Sequence, residues 1–167
     1  MRFHQVVCVT ILISLFSCTK DKPPSGIDAA MYQEAIENDG FTWYKLTDVL
    51  LDKSAGSGHP QPYLRTRFNG IAASQLDGNG KVLNNVSFPE GSLIVKELYD
   101  NPQALFRYAM LLKASNNEFA DNNGWVWGYI NEDGSVAIPA EEKGAQCINC
   151  HSQQGNIDGT LMNKFFP

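Results

Sequence analysis

The chain has 167 residues, 18 of them acidic and 13 basic, for a formal net charge of −5. That balance argues against a nucleic-acid partner, because nothing in it would grip a phosphate backbone. Two of its four cysteines, Cys8 and Cys18, fall within the first 18 residues. Disulfides therefore cannot staple distant parts of the remaining chain.

Residues 1–17 read as a secretory signal: a basic start at Arg2, then an apolar run over residues 6–16 too short to span a bilayer comfortably. Leu15-Phe16-Ser17-Cys18 resembles a bacterial lipobox, which makes Cys18 the expected lipidation site. An ordinary signal cut nearby, or an uncleaved anchor, is the alternative. Each places the chain in the cell envelope, on the periplasmic or outer face, and the lipobox adds a membrane anchor. Residues 18–26, polar and stiffened by Pro23-Pro24, read as a tether. Residues 27–167 are long enough for one domain with its own core.

Ile27, Met31 and Ala35 recur at helical spacing over residues 27–38, with Ser25 and Asp28 as a capping pair. Beyond Gly40 the pattern changes to short aromatic and β-branched runs. These are punctuated by GSGHP, DGNG, FPEG, YDNP and EDGS. Strands are expected at 42–46, 63–68, 93–99, 105–114, 125–130 and 136–138, with helix as the alternative for 105–114. A hairpin through Asp133-Gly134 joins the last two. A short helix over 141–153 and an irregular tail complete an α+β domain built mainly on antiparallel sheet.

Cys147-Ile148-Asn149-Cys150-His151 fits the attachment pattern of a c-type haem. Two thiols three residues apart lie on one side of a helical turn, where they can add to two haem vinyl groups. The histidine that follows supplies the iron ligand. A thioredoxin-like dithiol would need its cysteines near the start of a βαβ unit, yet only 17 residues follow Cys150. A structural zinc site would have to draw on these cysteines plus His59 and His151. The motif also follows the fold, whereas small electron-transfer cytochromes c carry it early. The strand-rich middle does not spell a four-helix cytochrome c′.

YLRTRFN at 63–69, FPEGSLIVKEL at 88–98, GWVWGYI at 124–130, CINCH, and TLMNKFFP at 160–167 occur in an order and spacing that resemble the cytochrome P-460 family and the related cytochromes c′-β. The resemblance implies a β-rich fold, often a homodimer, with one covalent haem, a proximal histidine and an open distal side. That side would take small nitrogen compounds, either hydroxylamine for oxidation or nitric oxide for binding; the redox partner is unspecified. It assigns a lysine linked to the porphyrin edge to Lys96 and a pocket arginine to Arg65. The family's distal carboxylate falls near Ala109 or Met110, where this chain has no acid.

Strand alternation agrees for Lys96, which shares a face with Ile94 and Leu98; a lysine snorkelling at a sheet edge is the alternative. Arg65, on a face with Tyr63 and Arg67, meets either a haem propionate or water. His59 reads as a surface-loop histidine. Met110 and Met162 read as core, and Trp125, Trp127 and Tyr129 as core or pocket wall. Three functions follow: an oxidoreductase on hydroxylamine or nitric oxide, a gas-binding or sensing haem protein, and an electron carrier. Only the last requires a strong sixth iron ligand.

Overall fold

The computed structural model describes residues 23–167. The signal, the lipobox and Cys18 lie outside the described residues. Helix α1 (Gly26–Glu37) precedes strands β1 (Thr42–Trp43), β2 (Leu51–Asp52) and β3 (Tyr63–Phe68) and the one-turn helix α2 (Gly70–Ala73). Strands β4 (Leu93–Asn101), β5 (Ala104–Lys113), β6 (Trp125–Asn131) and β7 (Val136–Ile138) follow, then the one-turn helices α3 (Ile148–His151) and α4 (Met162–Phe165). The strands form one antiparallel sheet in the order β1-β3-β4-β5-β6-β7, with β2 also on β3. The α+β, mainly antiparallel expectation holds.

Both faces of the sheet are covered, so β4 and β6 are buried along most of their length, while β5 is buried at Tyr108, Met110 and Leu111. Met31 and Ala35 of α1 pack on one face with Leu93, Val95, Met110, Val126 and Ile130. Leu64, Phe68, Ile94, Leu98, Leu111 and Trp125 form the core of the other, under the 70–88 segment and the C-terminal chain. Each Leu, Ile, Val, Phe or Met among them contributes about 2 kcal/mol from burial. The register sets which residue meets which layer: Thr66 pairs with Lys96, Lys96 with Ala109 and Ala109 with Tyr129. That row crosses the sheet on the face under the C-terminal chain.

The departures from expectation have local causes. Residues 105–113 are strand, not helix, because β5 is held between β4 and β6 along its length. The 42–46 strand stops at Trp43: Lys45 and Leu46 take left-handed backbone, and Tyr44 turns inward to donate its hydroxyl to the Phe166 carbonyl at 2.8 Å. Ser25 caps no amide with its side chain, while Asp28 accepts from the Ala140 amide at 3.0 Å. The 141–153 helix resolves into a 3-10 turn at Ala140–Glu142 and α3. Between them Gly144 has φ of 69°, and a Cβ there would come within 2.5 Å of the Trp127 ring. Only glycine lets the chain pass so close to β6 in that conformation. Helices α2 and α4 were not expected. Asn69 caps the first by accepting from Ala72 at 2.9 Å, and tertiary packing of Met162 and Phe166 holds the second. None of the described helices is long and apolar enough to cross a membrane.

Candidate functional site

The row Thr66, Lys96, Ala109 and Tyr129, with Ile94, Leu111 and Trp127 beside it, floors a cavity roofed by Cys147, His151 and residues 160–162. The cavity has about 580 Å³ of empty space. It shares His59, Lys96, Tyr129 and His151 with a cleft of about 800 Å³ that reaches Cys150. No Asp or Glu lines either space among the described residues.

His151 ends α3 with its ring edge-on to Trp127, 5.0 Å between centres. Its Nδ1 lies 2.6 Å from the Gly159 carbonyl. A carbonyl can only accept, so Nδ1 carries the proton and the neutral ring keeps its lone pair on Nε2. Burial pushes the His151 pKa below the ordinary imidazole value against the opposing Gly159 hydrogen bond, with the Lys96 charge adding to the decrease. The carbonyl is fixed by the neighbouring Asp158, which accepts from Lys113 at 3.1 Å, Trp125 Nε1 at 3.3 Å and the Phe88 amide at 2.8 Å. Trp127 in turn donates to Asp121 at 2.9 Å.

Cys147 is half-buried and Cys150 exposed, both as free thiols. Burial, then the nearby Glu142 and Cys150, raises the Cys147 pKa. Lys96 keeps part of its surface open, yet its apolar surroundings lower its pKa to about 8. Its ammonium has no hydrogen-bond or ion-pair partner among the described residues.

The structure thus brings Lys96, Cys147, Cys150 and His151 together. It does not bring Arg65 to them, which corrects the pocket-arginine expectation. Arg65 pairs in register with Glu97, and strand alternation turns both away from Lys96. On the α1 face Arg65 donates to Glu97 at 2.5 Å and stacks over Trp43, while Arg67 donates to the same carboxylate at 2.8 Å. The arginine on the cavity face is Arg107, which lies over the Tyr129 ring and donates to Asn131.

One further expectation changes. His59 is not a plain surface residue: it lines the cavity, its Nδ1 is 2.7 Å from the Tyr129 hydroxyl, and its pKa is pushed down to about 2. Burial is the main cause, followed by the charges of Lys96, His151 and Lys53. Met162 is core as expected, and it also borders the cavity, its sulfur accepting from the Thr66 hydroxyl at 3.3 Å. Sequence reasoning also missed Gly159 and Asp158, whose only local signal is a turn-forming Asp-Gly pair.

The residues fit a haem c better than the rival motif readings. A haem c needs two thiols at its edge, a nitrogen lone pair for iron, and apolar walls. All three converge here. Among the described residues no group of three or more His, Cys, Asp or Glu side chains could hold a metal ion, which removes the zinc reading. Curated proteins and solved structures yielded no match. The profile of the family described as Cytochrome P460 matches residues 65–160, over half of the chain, including Lys96 and the whole CINCH segment. With a haem-compatible cavity built from those same residues, the chain belongs to the cytochrome P460 family.

Proposed function

We propose that this is an exported, lipid-anchored protein holding one covalent haem c and acting on small nitrogen compounds at its iron. The observation that carries the reading is the His151 tautomer: Nδ1 is committed to Gly159, and Nε2 is left as a ligand beside two free thiols and an apolar cavity. Cys147 and Cys150 each add S–H across a vinyl group, forming a C–S bond and a C–H bond with no net electron transfer. The haem supplies iron that binds small ligands and exchanges electrons.

The chain's own residues favour nitric oxide binding over hydroxylamine oxidation. Oxidising hydroxylamine releases protons, and among the described residues no carboxylate lines the cavity to take them. Lys96 is the amine placed for the porphyrin linkage that the family resemblance implies. Its lowered pKa leaves more of the nucleophilic neutral form than an exposed lysine has. That linkage would replace one N–H and one edge C–H by an N–C bond, passing two protons and two electrons to a peroxide-class oxidant. A homodimer and a separate redox protein complete the proposal.

The test is intact mass with an optical spectrum of the exported protein. The expected mass includes one haem, retained on denaturation and lost when Cys147 and Cys150 are both replaced by alanine. Ferrous protein should change spectrum on adding nitric oxide. An exported chain without covalent haem would sink the attachment, and a ferrous haem indifferent to nitric oxide in wild type and in His59→Ala would sink the ligand reading.

A further inference from the structure

His59 and His151 each have Nδ1 within hydrogen-bond distance of a partner. Nδ1 of His151 lies 2.6 Å from Gly159 O, and Nδ1 of His59 lies 2.7 Å from Tyr129 Oη. The Gly159 carbonyl can only accept, which fixes the His151 tautomer; the Tyr129 hydroxyl can donate or accept, and when His59 Nδ1–H donates to it the His59 Nε2 lone pair is left for a metal, the arrangement in which a partner orients a metal-binding imidazole. Their ring centres are 6.3 Å apart and their planes cross at 78°.

That separation discriminates between two roles. With metal–nitrogen bonds of about 2 Å, two imidazoles on opposite sides of one ion have ring centres about 6 Å apart. A histidine that only hydrogen-bonded to an iron-bound molecule would stand farther off, by roughly 2 Å or more. The observed spacing suits direct ligation.

The loop carrying His59 is seated for that position. Its base is closed by Lys53 donating to Pro62 O at 2.7 Å, and Ser57 donates to Ser54 O at 3.1 Å. Gly58 lies so close to the haem motif that a Cβ there would be 3.6 Å from Cys150 Sγ. The other cavity candidate, Met162, has its sulfur engaged by Thr66, and Met110 points to the α1 side, where its methyl lies beside Gly128 near Met31. His59 lies outside the matched residues 65–160.

We propose that His59 is the second axial ligand of the iron, held by Tyr129, and that it must leave before a nitrogen ligand can bind. The proposal rests on Cys147, Cys150 and His151 holding a haem. In the exchange one iron–Nε2 bond breaks and one iron–ligand bond forms, with no electron transferred.

The exported haem-loaded protein tests it by optical spectroscopy and electron paramagnetic resonance. Wild type should be six-coordinate and low-spin, with a ferric bis-imidazole signature that needs no variant to observe. His59→Ala should become five-coordinate and high-spin, and added imidazole should restore the low-spin spectrum. If His59 is bound about 99% of the time, removing it should raise the apparent affinity of ferrous protein for carbon monoxide about 100-fold. Tyr129→Phe should keep the haem but raise the high-spin fraction. A wild-type high-spin spectrum, or a low-spin one lost in Met162→Leu and kept in His59→Ala, would overturn the ligand. Intact mass separates the underlying reading: a wild-type chain without covalent haem overturns both, whereas covalent haem with an unmoved His59→Ala spectrum overturns this proposal alone.

Discussion

Lys96 is the residue in which burial and chemistry meet most directly. Its neighbours across the strands are Thr66 and Ala109, neither of which can stabilise a charge as a carboxylate would. With a pKa near 8, about half of its amine is neutral at pH 8, against well under 1% for an ordinary lysine. Proteolysis of peroxide-treated holoprotein should yield one haem joining the Cys147 and Cys150 peptide to the Lys96 peptide. Lys96→Ala should abolish both that join and a red shift of the ferrous Soret band. A haem peptide whose mass accounts for two thioethers alone would eliminate the link.

At the scale of elements, α3 is one turn long and cannot hold its own shape, since so short a helix forms few internal hydrogen bonds. Its position comes from the Gly144 approach to Trp127 before it and the Asp158-Gly159 turn after it. Gly144→Ala meets both a left-handed backbone and a ring atom at 2.5 Å. It should cost at least about 2 kcal/mol in urea unfolding and shift the His151 environment. Gly70→Ala is the control: a Cβ there meets nothing within 4 Å, and the change should stay within about 0.5 kcal/mol. Equal stability of the two variants would show that Trp127 does not constrain the motif.

For the whole molecule, the sheet divides the work between its faces. The α1 side holds the Arg65, Arg67 and Glu97 cluster, while the other side holds every residue proposed to meet the haem. Cys18 lies outside the described residues, and its lipidation belongs to the proposal. Cys18→Ala should turn a protein that fractionates with membranes and needs detergent for release into a soluble or unprocessed one. Wild-type protein found free with an unmodified Cys18 thiol would refute the anchor.

Local chemistry made much of this legible. The CINCH spacing carried the haem reading, alternation in 93–99 placed Lys96 toward apolar neighbours, and turn residues marked β3 and β7 at their observed bounds. Those signals act within a few residues, so they survive without knowledge of the fold. Alternation also separated Arg65 from the Lys96 face only once the β3 and β4 register was fixed, because a strand by itself does not say which of its faces meets which layer. His59 gave no signal at all in a Gly-, Pro- and Ser-rich loop. Its approach to Tyr129, 70 residues later, and to His151, 92 residues later, is decided by where that loop folds back over the sheet. The proposed haem attachment is thus written in adjacent residues, whereas the side of the cavity that His59 occupies is composed only by packing distant segments together.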